Sequence, residues 1–82
     1  MLGSSQKELL NQAIVFALND AWEASHKIVQ DLDSRQAYWI HAVLHKIEGD
    51  ESNSRYWYDR AQQSFEAYND PIQELINIQN NL

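Results

Sequence analysis

Residues 37–50, AYWIHAVLHKIEGD, would carry apolar side chains around almost the whole circumference of a helix. Trp39, Ile40, Val43, Leu44 and Ile47 fall on one broad side, and Ala37, Tyr38 and Ala42 border the other. A helix that is apolar on most sides needs neighbours on most sides, so this segment is expected at the centre of the fold. Its exception is a narrow polar strip of His41, His45 and Glu48, spaced i, i+4 and i+7 and therefore sharing one face. That strip is where any chemistry is expected.

The rest of the chain reads as helix as well. It has two Gly and one Pro, and no run of alternating apolar and β-branched residues that would mark a strand. Ser5 with Glu8 has the form of a capping box ahead of Leu9, Leu10, Ala13, Ile14, Ala17 and Leu18, which predicts a first helix over 5–18. Asp20 with Glu23 repeats the signature ahead of Trp22, Ser25, Ile28, Val29 and Leu32, which predicts a second over 20–32. Asp33 or Ser34 is placed to cap the central helix, 34–48. Gly49 is placed to close it in the left-handed conformation, and Asp50 or Ser52 to start the next. The stripe Ser54, Trp57, Tyr58, Ala61, Phe65 and Tyr68 predicts a fourth helix over 52–68. Asp70 as cap with Pro71 at the first helical position starts a fifth, 71–80, with Ile72, Leu75 and Ile76, joined by Ile78 or Gln79, as its core side.

The expected fold is therefore all-α, about five helices in one domain spanning residues 1–82, with short links that force antiparallel hairpins. A faint internal repeat places Asn19-Asp20 on Gly49-Asp50, Ala24 on Ser54 and Ile28 on Tyr58, at an offset of 30 residues. In the second hairpin Tyr38, Ala42, Gly49-Asp50, Ser54, Tyr58 and Ala61 occupy the places of large, small, turn and aromatic residues in a tetratricopeptide repeat, which it resembles. The resemblance implies a tetratricopeptide-like α-α superhelix. His41 and His45 depart from it, because they stand where that repeat has Leu and an aromatic. The chain also resembles small uncharacterised bacterial proteins with a run W-x-H-A-x-L-H-R-x-E-G-D-x-x-N-A-x-Y-W-Y-x-R-A. Here Trp39, His41, Ala42, Leu44, His45, Glu48, Gly49, Asp50, Asn53, Tyr56, Trp57, Tyr58, Arg60 and Ala61 match, with Lys46 and Ser54 in place of Arg and Ala. That resemblance implies relatives, and no activity.

Charge and composition exclude several roles. Twelve acidic against six basic residues give a formal charge of −6, the wrong sign for nucleic acid phosphates or anionic lipid. No apolar run approaches the roughly 20 residues of a membrane span, and the N-terminus lacks a signal-peptide pattern, so a cytoplasmic location is expected. Without cysteine there is neither a disulfide nor a thiolate metal site. A chain of 82 residues buries a modest share of its surface, so a homodimer that covers apolar surface is expected.

The chemistry reduces to a few side chains. His41-x-x-x-His45 presents two imidazoles from one helix face, Glu48 can add a carboxylate, and His26 beside Val29 on the second helix can face the same space. The zinc-protease pattern needs Glu directly after its first His, and that position is Ala42. Asp50 completes the candidate cluster of His26, His41, His45, Glu48 and Asp50. No nucleophile motif or glycine-rich phosphate loop is present, so an enzyme is disfavoured and no cofactor is expected. Tyr56 points away from the helix-four stripe and with Arg60 forms a candidate contact surface. The expected role is a module that binds a protein, a peptide or itself, with a His41, His45, Glu48 and His26 metal or hydrolytic site as the alternative.

Overall fold

The computed structural model describes residues 4–82. Among them the chain forms α1 (Ser4–Leu18), α2 (Trp22–Val29), α3 (Arg35–Glu48), α4 (Glu51–Ala61) and α5 (Pro71–Asn80), with one 3₁₀ turn at Phe65–Ala67 and no strand. The fold is all-helical, and α1 with α2 and α3 with α4 form the two hairpins. Helix α3 packs against each of the other four α-helices, the position its all-round apolar surface demands. Ile40, Val43 and Leu44 are fully buried on it beside Leu10, Ile14, Leu75 and Ile78 of the flanking helices. Ile47 departs from the expected apolar side and is 40% exposed near the helix end. Leu44→Ala is expected to cost roughly 2 to 5 kcal/mol in a denaturant melt, as a large-to-small change at a closed site. A loss under about 0.5 kcal/mol, the size of a surface change, would remove α3 from the core.

Local signals fix several boundaries. Ser34 caps α3 by accepting from Ala37 N at 3.1 Å, Asp50 caps α4 through Asn53 N at 3.3 Å, and Asp70 caps α5 through Ile72 N at 2.9 Å. Gly49, at φ 89°, closes α3 with Asp50 N donating to His45 O and its own N donating to Lys46 O. Ser5 lies inside α1, which already includes Ser4, so it is not the cap that its spacing to Glu8 predicts.

The first hairpin ends its helix the same way, which changes the role of Asp20. Ala21 N donates to Phe16 O and Asp20 N to Ala17 O, with Asp20 at φ 66°. Asp20 is thus the left-handed residue that closes α1, and it cannot also be the extended cap of α2. Ala21 takes the cap position with no side-chain bond, and α2 is shorter than expected at both ends, covering 22–29 instead of 20–32.

A third left-handed closure overturns the long fourth helix. Gln62 sits at φ 58°, Gln63 N donates to Tyr58 O, and α4 stops at Ala61 instead of running to 68. Tertiary contacts outweigh the apolar stripe here. Lys46 Nζ donates to Phe65 O at 3.0 Å and Tyr68 O at 3.2 Å, which draws this stretch over the end of α3.

The two hairpins repeat at an offset of 29 residues, one less than expected. Asp20 and Gly49 share the left-handed closure, and Ser25 and Ser54, both fully buried, donate from Oγ to Ala13 O and Ala42 O, each at 2.7 Å. The small alanines let each helix pair approach closely enough for that bond. The 29-residue offset is shorter than the 34-residue period of tetratricopeptide repeats. Helix α5 lies against α1 and α3, and its buried residues are Glu74, Leu75 and Ile78. Ile72, expected in the core, is 41% exposed, because α5 is turned to bring Glu74 inward.

Candidate metal centre

Three histidines meet where the first hairpin packs on the second. His41 and His45 lie one turn apart on α3 with their rings 5.0 Å apart and nearly parallel, while His26 comes from α2. One ligand nitrogen from each lies within 4.8 Å of the others. His26 Nε2 and His41 Nε2 are 3.1 Å apart. Two imidazole nitrogens bound tetrahedrally to zinc at about 2.0–2.1 Å would sit ~3.3 Å apart, so this pair needs little movement to share an ion.

Two tryptophans wall the cluster. Trp22 stacks on His26 one helical turn later, with centroids 4.7 Å apart, and is held by its Nε1 donating to Leu44 O at 2.6 Å. Trp57 of α4 stacks on His41 at 3.9 Å. These contacts leave His41 and His45 buried and His26 half-buried. Burial holds the His41 imidazole down at about 3, with His26 and His45 adding repulsion in the charged form. Burial, followed by His45, lowers His26 as well, against an opposing pull from Glu48. Both are therefore neutral at pH 7, the form in which imidazole binds a metal ion.

Glu48 plays an orienting part. Its Oε1 is 2.9 Å from His45 Nδ1, which leaves Nε2 as the coordinating nitrogen of His45. A carboxylate behind a histidine fixes its tautomer and raises its basicity as a ligand. Asp50 lies near, with a carboxylate oxygen within 4.8 Å of the His45 and Glu48 donors, but its Oδ1 is engaged in capping α4. His41 lacks such support, since its Nδ1 is buried with no partner. In the metal-free pair that atom can stay a bare lone pair while His41 Nε2–H donates to His26. Coordination through Nε2 would move the proton to Nδ1, so affinity should fall about 10- to 100-fold below that of a fully buttressed site.

Tyr56 is 54% exposed, and the Arg60 guanidinium lies over the rings of Tyr38, Tyr56 and Trp57 at 5.1, 5.6 and 5.4 Å. That surface is the outer side of the Trp57 wall. Sequence reasoning missed a second polar centre altogether. Glu74 is fully buried and accepts from Lys46 Nζ at 3.0 Å, Trp39 Nε1 at 2.7 Å and Tyr58 OH at 2.6 Å. Only its donors carried a signal, namely a lysine on the central helix and two aromatics with polar tips near it. No protein family, characterised protein or solved structure matches the chain.

Proposed function

We propose that the protein binds a divalent transition-metal ion through His26, His41 and His45, with Glu48 orienting His45. The convergence of three imidazoles from two hairpins carries this reading. An all-imidazole set without thiolate suits zinc, copper, nickel or ferrous iron rather than magnesium or calcium, which take oxygen donors. Three protein ligands leave one position of a tetrahedral ion for water or another small donor. The Tyr56 and Arg60 surface suits a protein contact by residue type alone, a weaker ground than three converging ligands.

Zinc should raise the melting temperature of untagged, metal-stripped protein. At a free concentration 100 times Kd the gain is about 2.7 kcal/mol, which for a domain of this size is on the order of 10 °C or more. His41→Ala and His26→Ala should each abolish the shift, and Glu48→Gln should weaken binding about tenfold. No shift at millimolar zinc, or the same shift in both histidine variants, would rule the site out.

A further inference from the structure

We propose that the ion at this site acts as a latch that docks α2, and with it the first hairpin, onto α3 of the second. The proposal rests on the metal reading above. His41 and His45 sit on one rigid, buried helix and form a preset pair of ligands, whereas His26 belongs to the other hairpin. Helix α2 has eight residues and no side-chain cap at Ala21, too little to be stable by itself. Among the described residues two polar side-chain ties cross from it to α3, Trp22 Nε1 to Leu44 O and His26 to His41. The 29-residue repeat gives an independent sign of what the His26 position is for. Its equivalent in the second hairpin is Arg55, which pairs with Glu51 on its own helix and reaches forward to Glu66 of the next segment. In both hairpins this position ties the second helix to whatever follows it. In the first hairpin the tie is an imidazole facing two more, so an ion can make it strong. Binding and docking are then linked: an ion that needs His26 favours docked α2, and docked α2 raises affinity for the ion by the same factor.

Amide hydrogen exchange on the whole protein, stripped of metal and then given zinc, tests this. Without zinc, the α2 amides should exchange faster than those of α1 and α3, through an opening that leaves the rest folded. Zinc at 100 times Kd should suppress that opening about 100-fold and bring α2 level with its neighbours. In His26→Gln under saturating zinc, α2 should remain the faster. A separate competition against a chelating dye reports whether zinc binds at all. If it does not bind, the metal reading falls and takes the latch with it. If zinc binds yet α2 stays fast, or α2 is already as slow as α3 without zinc, or His26→Gln closes the gap as the parent does, the latch alone is overturned.

Discussion

Metal-free protein should lose stability steeply as the pH falls from 6.5 towards 5. His41 titrates near 6.5 in the unfolded chain and at about 3 when folded, so between those values the unfolded state holds a proton that the folded state does not. Stability therefore rises with pH across the window, is fully present above it and is lost as the pH falls through it. The slope from His41 alone approaches about 1.4 kcal/mol per pH unit, or roughly 4 to 5 kcal/mol over the whole interval. His26, lowered for the same reason, steepens the upper part. Carboxylates with lowered values, such as Glu66 beside Arg55, add their loss at more acid pH, so the range from 6.5 to 5 isolates the histidines. Urea melts at several pH values should show this slope, and His41→Phe, which keeps a ring to stack on Trp57 but cannot be charged, should flatten it. Equal slopes in parent and variant would show that His41 is not held neutral by its surroundings.

That dependence comes from a pattern partly legible in the sequence. The i, i+4 spacing of His41 and His45 places them on one face of any helix, and Glu48 follows on the same face, so these relations need only local geometry. The caps at Ser34, Asp50 and Asp70 and the closure at Gly49 are equally local, which is why their residues can be read directly. Whether His26 reaches the same point depends on how two hairpins pack, and spacing along the chain says nothing about that. Asp20 misleads because one residue can serve either as the cap of the next helix or as the left-handed end of the last, and the Ala21 N to Phe16 O bond decides for the second role. The apolar stripe through Phe65 and Tyr68 predicts a longer α4 because periodicity cannot see Lys46 gathering the carbonyls of those two residues. The first misreading is a choice between two local signals, whereas in the second a tertiary contact overrides a sound local one.

Glu74 is the largest case of that kind, and its removal should be the most damaging single change away from the histidines. A carboxylate on an otherwise amphipathic helix reads as solvent-facing, yet this one is fully buried with Lys46 Nζ on one oxygen and Trp39 and Tyr58 on the other. Burial of Tyr58, followed by its hydrogen bond to Glu74 and the charge of that carboxylate, pushes the Tyr58 hydroxyl well above its ordinary value, so that group stays a donor. Glu74→Ala would leave the Lys46 ammonium, whose side chain is 11% exposed, with two carbonyls but no counter-charge, and deprive Trp39 Nε1 and the buried Tyr58 OH of their acceptor. Breaking a buried pair from one side costs about 3 to 5 kcal/mol, against roughly 4 to 12 kcal/mol for the whole stability of a domain this size. The pair itself need not be strongly stabilising, because desolvating both charges offsets much of their attraction. Replacing both at once, Lys46→Met with Glu74→Leu, should therefore recover much of the loss. Recovery should be incomplete, since Trp39 Nε1 and Tyr58 OH would still lack their acceptor, and Phe65 O and Tyr68 O the donor that Lys46 gives them. Urea melts of the two single variants and the double variant measure the coupling directly. A loss below about 1 kcal/mol for Glu74→Ala would mean that solvent reaches Lys46 freely and that α5 is not pinned by this carboxylate.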